Sequence, residues 1–277
     1  MPKTLSLLTH LIAFYGRAIR HPGRWRVVSS LVALFKLKPS GVHEVRAGGL
    51  RWLLDPSDHQ QAGVFWLGEM DRWERFHLAT ALHSQAVFLD IGANFGYYSI
   101  SLAKQTGAKV VAFEPQSAVA QKLLKHVEMN QLSDRIRVET MALSDAAGSV
   151  SMTSYEGNTG KTALSDAPGE VEVIRLDDWV KANPLERLDA IKMDVEGVEA
   201  RVLRGGMDTI RRFRPKLLLE VNPFALARQG ESAVKLASLL AEAGYRIYSI
   251  QRRSLVPLNQ LDDSMAALNI FCVSGQV

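Results

Sequence analysis

The sequence contains very little cysteine. Among its 277 residues the single thiol is Cys272, inside the apolar run 269–273. One cysteine excludes an intramolecular disulfide framework and a zinc cluster built on thiolates. We expect Cys272 to be a buried strand residue and not a nucleophile. This usage fits a reducing compartment, so we predict a cytoplasmic protein, peripheral on the inner membrane surface if its N-terminus binds lipid.

Metal-binding histidine patterns are also missing. No two of the seven histidines stand four residues apart, the spacing that places two imidazoles on one face of a helix. We therefore predict that no metal is bound. A cation held by Asp194 and Glu196 is the alternative, because octahedral oxygen sites need only one or two carboxylates from the protein.

Positive charge exceeds negative charge only in the N-terminal part of the chain. Residues 1–51 carry nine Lys/Arg and one acid, a net charge of +8, so the remaining residues carry −4 within the overall +4. A globular domain that binds nucleic acid would need an excess of positive charge in this larger part of the chain. We therefore expect nucleic acid not to be a partner.

The N-terminal apolar runs are too short for a membrane-spanning helix. Residues 4–16 and 27–35 carry no formal charge and are flanked by basic residues, whereas a spanning helix needs roughly 20 apolar residues. Residues 1–40 are predicted to form a basic, apolar helical extension. Its helices could lie on an anionic membrane surface, or pack against the body of the protein or a second copy.

Strand-length apolar runs alternate with helical patterns from residue 86 onward. Continuous apolar strands separated by helices predict a parallel, doubly wound sheet covered on both faces. The final run, LNIFCV, predicts an antiparallel strand at the edge of that sheet, and segment 148–175 predicts an inserted β-hairpin, or flap. The strand runs are 87–91, 109–113, 135–141, 188–193, 216–221 and 246–250.

The predicted organisation therefore has three parts. The extension at 1–40 precedes a segment, 41–85, with a hairpin around Gly48 and Gly49 and a helix leading into the core. Residues 86–277 then form an α/β domain with a mostly parallel sheet, an antiparallel last strand and the flap.

The stretch VFLDIGANFGYYSI, residues 87–100, lacks the Gly-x-Gly-x-x-Gly of a dinucleotide site. Asp90 stands near the strand end, and Gly92 and Gly96 follow it. The glycine-rich turn that binds the pyrophosphate of a dinucleotide is therefore missing. An acid at this place suits a ligand with positive charge or hydroxyl donors. S-adenosyl-L-methionine has a sulfonium, an ammonium and a ribose. Glu114, after the next strand, can accept hydrogen bonds from both ribose hydroxyls.

Six motifs in order carry a family resemblance: FLDIGANFGYYSI, VVAFEP, ALSDAAG, IRLDDWV, IKMDVEGVEARVLRGG and PKLLLEVNP. With them the chain resembles the FkbM-type methyltransferases, a class I S-adenosylmethionine-dependent family. The resemblance implies a Rossmann-like fold and O-methylation, often of sugars or polyketide-like natural products. Many members have a histidine two residues after the glutamate of strand five, where this chain has Asn222. The residues that the resemblance assigns to the cofactor are Asp90, Gly92, Asn94, Gly96 and Glu114, with Ala142 and Leu143 near the adenine.

The fourth-strand motif supplies the candidate catalytic residues. Asp194 stands at the strand end and Glu196 in the following loop. A hydroxyl acceptor benefits from a general base within hydrogen-bonding reach, and methyl transfer otherwise depends on positioning. Glu196 could instead cap the next helix, whose first turn contains Glu199.

The predicted function is S-adenosylmethionine-dependent methyl transfer to a small-molecule or glycan acceptor that carries a hydroxyl group. Methylases that act on the amines of bases commonly carry (Asp/Asn)-Pro-Pro-aromatic after strand four, and this chain reads Asp194-Val195-Glu196-Gly197 there. The alternatives are a methyltransferase of nucleic acid or protein, and a non-catalytic, membrane-associated scaffold that retains the fold.

Overall fold

The computed structural model describes residues 5–155, 158–165, 167 and 169–275. These residues form two compact units. The first unit contains the N-terminal residues up to Arg72 together with Ser154–Lys161, and the second contains Trp73–Thr153 and the residues from Thr162 onward. Along the described chain, no helix has both the length and the apolar character that crossing a bilayer requires.

The first unit is built from helices and one hairpin. Ser6 caps its first helix by accepting the N–H of Thr9, and Asp58 caps the third by accepting two N–H groups. The first and third helices approach closely, because a Cβ on Gly16 would lie 2.2 Å from the carbonyl oxygen of Trp66. The elements are α1 (Leu7–Ala18), α2 (Arg24–Leu34), β1 (His43–Ala47), β2 (Leu50–Leu54) and α3 (His59–Leu67).

The hairpin predicted around Gly48 and Gly49 is confirmed, since β1 and β2 pair antiparallel on either side of these residues. The single helix predicted after it is wrong. Gly68 ends α3 with φ 75°, a left-handed conformation that stops a helix, and a second helix begins at Arg72. The helical spacing of the apolar residues continues across this break, which is why the sequence pattern does not reveal it.

The remaining elements follow in chain order. They are α4 (Arg72–Ala79), β3 (Val87–Ile91), α5 (Tyr97–Thr106), β4 (Lys109–Phe113), α6 (Ser117–Met129), β5 (Ile136–Glu139), β6 (Ala142–Ser144), β7 (Gly148–Tyr155), β8 (Asn158–Ser165), β9 (Val171–Arg175), α7 (Leu176–Ala182), β10 (Ala190–Met193), α8 (Glu199–Gly205), α9 (Met207–Phe213), β11 (Lys216–Val221), α10 (Pro223–Arg228), α11 (Ala233–Glu242), β12 (Tyr245–Gln251), β13 (Ser254–Pro257) and β14 (Leu268–Ser274).

A central sheet of eight strands has the order β13-β12-β14-β11-β10-β3-β4-β5. Strands β5, β4, β3, β10 and β11 run parallel, which confirms the predicted mostly parallel α/β fold. The strand order reverses between β3 and β10, the place where ligands bind in doubly wound sheets. Residues along β10 are buried without alternation, as expected for a strand covered on both faces.

The last strand, β14, is antiparallel as predicted, but its predicted position at the edge is wrong. It lies between β11 and β12 and pairs antiparallel with both. The edge is formed by β13, which turns back from β12. Ile270, Phe271 and Cys272 are consecutive and all buried, because an interior strand is covered on both faces. Cys272 is thus a buried strand residue, and burial raises the pKa of its thiol.

The inserted segment forms more than the hairpin that the sequence predicts. Strands β7 and β8 belong to a second sheet of order β6-β9-β7-β8, in which β9 pairs parallel with β6 and antiparallel with β7. The segment 148–175 is therefore mostly extended chain, as predicted. Positions 156, 157, 166 and 168 lie outside the described residues.

Candidate functional site

The acid–glycine turn lies where β3 ends and α5 begins. Asp90 is fully buried in β3, and its Oδ2 accepts hydrogen bonds from the backbone N–H and the hydroxyl of Ser99 at 3.0 and 2.5 Å. Its other oxygen, Oδ1, is buried and has no hydrogen-bond partner. Burial raises the pKa of Asp90, and nearby Lys192 opposes this shift. An unsatisfied buried carboxylate oxygen is costly, so Asp90 Oδ1 is a candidate ligand contact.

The two glycines of this turn bring neighbouring segments close together. A Cβ on Gly92 would lie 2.0 Å from the carbonyl oxygen of Asp194, and one on Gly96 would lie 2.1 Å from Cδ1 of Leu123. Both have positive φ, 79° and 91°, where a side chain is strained. The sequence assigned these glycines to close approach by a ligand. In the structure, packing of the chain itself already requires them, and Gly92 places the fourth-strand loop against the turn.

Glu114 follows β4 and is held facing the turn. Its Oε2 accepts the backbone N–H of Asn94, and its Oε1 accepts that of Gln116, both at 2.9 Å. Burial raises the pKa of Glu114 to about 7, although these hydrogen bonds favour the charged form. Each carboxylate oxygen keeps a further lone pair, so a fixed, bidentate acceptor remains available to a ligand.

The two residues predicted to lie near an adenine ring occupy the second sheet. Ala142 and Leu143 form β6, and both side chains are buried. Leu143 packs in the hydrophobic core, and β6 packs against α8. These residues are therefore in a short strand of their own that follows β5, the third parallel strand in chain order.

The fourth-strand acids follow β10 directly. Asp194 is partly exposed, and its N–H donates to the carbonyl oxygen of Ile91 at 3.1 Å, which ties the loop to β3. Glu196 is partly buried and has a positive φ of 54°. A non-glycine residue in this conformation is uncommon and marks a constrained loop.

Glu199 has a different role from the one that its sequence position indicates. It is not a solvated acid in a first helical turn: it is buried, and its Oε1 accepts the N–H groups of Val195 and Gly197 at 3.2 and 3.3 Å. Its Oε2 is buried without a hydrogen-bond partner, and burial raises its pKa to about 7. Glu199 therefore holds the loop that carries Asp194 and Glu196.

Glu220, on β11, joins these acids, and the sequence analysis assigned it no role. Its carboxyl group hydrogen-bonds Asp194, and burial together with the charges of Asp194 and Glu196 raises its pKa to about 9. The neighbouring charges of Asp194 and Glu196 thus favour the neutral form of the Glu220 carboxyl group. Ligand oxygens of Asp194, Glu196 and Glu220 lie within 4.8 Å of one another, so the cluster could hold a metal ion. The signal for Glu220 is an acid at the end of the apolar run KLLLEV.

Lys192, on β10, is the second residue that sequence reasoning missed. It is buried, and its Nζ lies 3.3 Å from Oδ2 of Asp194 and 3.8 Å from Oδ1 of Asp90. The ammonium also lies 5.0 Å from the ring centroid of Tyr98. Parallel pairing places Lys192 beside Asp90 on β3. The available signal is a charged residue inside the otherwise apolar strand AIKM, which is rare unless the charge is paired.

Negative charge dominates this site. Lys192 stands among six carboxyl groups, of which three have raised pKa values of about 7 or 9. Such a cluster is relieved either by protonation or by a cationic ligand. Asp90 Oδ1, which is buried and accepts no hydrogen bond, and the fixed Glu114 carboxylate fit a ligand that carries positive charge and hydroxyl donors, as S-adenosylmethionine does. The six acids are Asp90, Glu114, Asp194, Glu196, Glu199 and Glu220.

Comparison with known proteins agrees with this geometry. Residues 90–247 match the family model described as the methyltransferase FkbM domain. The chain is 32% identical over 149 residues to the 2-O-methyltransferase NoeI of Sinorhizobium fredii, an alignment that covers 46% of this chain and 60% of NoeI. It is 29% identical over 217 residues to the AMB antimetabolite synthetase AmbE of Pseudomonas aeruginosa, covering 63% of this chain and 10% of AmbE.

A solved structure of methyltransferase FkbM from Methylobacillus flagellatus aligns with a TM-score of 0.47 and 14% identity, covering 96% of this chain and 58% of that one. The chain spans less than two thirds of the length of NoeI and AmbE. The family model, in contrast, matches more than half of this chain, from the acid–glycine turn to β12. With its Rossmann-like class I methyltransferase fold, the chain belongs to the FkbM methyltransferase family.

Proposed function

We propose that the chain is an S-adenosylmethionine-dependent O-methyltransferase that acts on a hydroxyl group of a sugar, glycan or other small natural product. The observation that carries the proposal is Asp194, which is held between Lys192 and Glu220 beside the acid–glycine turn. A carboxylate at that place can bind and deprotonate a hydroxyl next to a methyl donor. The similarity to NoeI, named a 2-O-methyltransferase, supports hydroxyl as the acceptor class.

The cofactor part of the proposal assigns roles to four residues. Asp90, through its buried Oδ1, faces the positive charge of the ligand, and Glu114 accepts hydrogen bonds from its ribose hydroxyls. Gly92 and Asn94 shape the turn between these two acids. S-adenosylmethionine, when bound, supplies an electrophilic methyl group on a sulfonium.

The acceptor part assigns proton transfer to the fourth-strand acids. Asp194 is only partly exposed, and it accepts a hydrogen bond from the acceptor hydroxyl. The Asp194 carboxylate would take the proton of that hydroxyl when its oxygen receives the methyl group that bound S-adenosylmethionine would supply. Glu196, whose ligand oxygen lies within 4.8 Å of that of Asp194, is the second candidate for this proton. Lys192 and Glu220 orient Asp194 throughout.

A radiolabelled methyl donor tests the proposal directly. We expect label to pass from S-adenosylmethionine to hydroxyl compounds in a panel of sugars, glycans and small phenols. Asp194→Asn should abolish most of this transfer, and Glu196→Gln should reduce it. Glu242→Gln is the matched control, because Glu242 is an exposed acid at the end of α11.

The same assay contains the outcomes that would overturn the proposal. Label transferred to RNA, DNA or protein but to no small hydroxyl compound would replace the acceptor class. Full activity of both Asp194→Asn and Glu196→Gln would remove the fourth-strand acids from catalysis. Absence of S-adenosylmethionine binding in calorimetry would remove the cofactor assignment.

A further inference from the structure

Helix α1 is apolar on two opposite faces. One face packs inside the first unit, through buried Thr9, Ile12, Ala13 and Gly16. On the other face, Leu7, Leu11 and Phe14 are 76%, 56% and 69% exposed. These three residues recur at a spacing of four and then three, so they form one stripe along the helix. A surface helix normally turns a polar face to water, and α1 does not.

Helix α2 and the residue after it also expose apolar side chains. Val27 and Leu34 stand seven residues apart, and Phe35 follows the helix; all three are exposed. Of the fourteen large hydrophobic side chains exposed among the described residues, eight lie between positions 7 and 35. Such a concentration marks an interaction surface, since scattered exposed apolar residues need no explanation and a cluster does.

Basic side chains flank the same helices. Two arginines of this part are used inside the first unit: Arg17 donates to the carbonyl oxygen of Phe65, and Arg24 pairs with Glu69 at 2.8 Å. The others are exposed; all but Arg26, which lies in the first turn of α2, stand between or just after the two helices. They are Arg20, Arg26, Lys36 and Lys38.

We propose that this N-terminal surface, made of Leu7, Leu11, Phe14, Val27, Leu34 and Phe35 with the four exposed basic residues, binds an anionic membrane. The charge of the segment decides between the candidate occupants. In a dimer formed through this surface, residues 1–51 of the two copies, each with a net charge of +8, would repel each other. An anionic lipid surface attracts this charge, and the apolar stripe can enter the boundary between headgroups and acyl chains. No described helix is long enough to span, so the binding is interfacial. This inference does not depend on the proposed chemistry.

Vesicle flotation with the full chain tests the proposal. We expect binding to vesicles of phosphatidylcholine with about 30% phosphatidylglycerol, and at least tenfold weaker binding to pure phosphatidylcholine, because basic residues near an anionic surface contribute additively. Arg26→Gln/Lys38→Gln should weaken binding to the anionic vesicles roughly 30-fold, and added salt should weaken it as well.

Apolar variants separate insertion from simple charge attraction. Leu11→Ser/Phe14→Ser should lose binding at least tenfold while its melting temperature stays near that of the native chain, since both side chains are already exposed. Leu124→Ser, which changes an exposed leucine on α6, is the matched control and should bind like the native chain.

Three results would overturn the proposal. Equal binding to neutral and anionic vesicles would remove the charge argument, and no vesicle binding at all would remove the membrane. A native dimer in mass photometry that Leu11→Ser/Phe14→Ser converts to monomer would show that a second copy covers the surface instead.

Discussion

The candidate site at the carboxyl ends of the central strands and the N-terminal surface both depart from the usual pattern of buried apolar and exposed charged residues. They do so in opposite ways. At the sheet edge, charged groups are buried: Asp90, Lys192 and Glu199 are nearly inaccessible to water. On α1, Leu7 and Phe14 are mostly exposed. Each arrangement is costly in the isolated chain. The two proposals follow from this difference, because buried charge is relieved by a charged or hydrogen-bonding ligand and exposed apolar area by an apolar surface.

The largest effect is expected from replacing Asp194, and a much smaller one from replacing its neighbour Glu220. Asp194→Asn should lower the single-turnover rate by about 10²–10⁴-fold, because the amide cannot take the acceptor proton. Glu220→Gln should cost far less, since the neighbouring charges favour the neutral form of Glu220 and the amide keeps a donor toward Asp194. Equal losses in the two variants would show that the proton is not localised on Glu220.

Removal of the central cation should mainly affect folding. Lys192→Met leaves Asp90 and Asp194 without their buried partner, which we expect to lower the free energy of unfolding by about 3–5 kcal/mol at pH 8. Acid should reduce this loss, because protonation of the acids removes the uncompensated charge. Lys181→Met, at an exposed lysine in α7, provides the control in urea unfolding. A variant as stable as the native chain would contradict the ion-pair role of Lys192.

The pH dependence of stability should reveal Glu199. Its pKa is raised to about 7 in the folded chain from an ordinary 4.5, so the stability that it contributes is present below pH 4.5 and is lost as pH rises through 7. Glu199→Gln cannot ionise, so its free energy of unfolding relative to the native chain should rise by about 3 kcal/mol from pH 4 to pH 9. A difference that does not change with pH would show that Glu199 titrates normally.

Loss of the Glu114 carboxylate should weaken binding of the cofactor and leave the protein folded. We expect Glu114→Ala to reduce S-adenosylmethionine affinity by one to two decades, about 1.5–3 kcal/mol for the lost charge-assisted hydrogen bonds. Affinity of the native chain should rise with pH through about 7, because Glu114 must ionise to accept both hydroxyls well. Titration calorimetry at pH 6 and pH 8 measures both effects, and unchanged affinity of the variant would remove Glu114 from the site.

The smallest change in the free energy of unfolding is expected at the N-terminal surface. There, two adjacent residues of α1, one exposed and one buried, can be compared directly. Leu11→Ser should change the free energy of unfolding by less than about 0.5 kcal/mol, because Leu11 already faces water. Ile12→Ser, one residue away on the buried face, should cost about 3 kcal/mol. If both substitutions destabilise alike, the outer face of α1 is covered within the protein.

Local patterns predict those parts of the site that depend on a single strand and its following turn. The acid at the end of an apolar run predicts Asp90, the two glycines predict the turn, and the next strand end predicts Glu114; the structure joins Asn94 to Glu114 by a hydrogen bond. The same reasoning locates Asp194 and Glu196 after β10. It cannot locate Lys192 or Glu220 in the site, because their partners are on neighbouring strands whose alignment no local pattern records.

The sequence by itself determined the α/β alternation, the family, the strand-end positions of Asp90 and Glu114 and the uneven charge, since each depends on residue order within a short window. The tertiary structure decided which charges meet. Parallel register puts Lys192 beside Asp90, 102 positions away along the chain (192 − 90), and packing at Gly92 brings Asp194 to the same place. Tertiary structure also decided that β14 is interior and that one apolar face of α1 is left outside. Both outcomes depend on which surfaces find partners, a property of the whole packed chain and not of any segment.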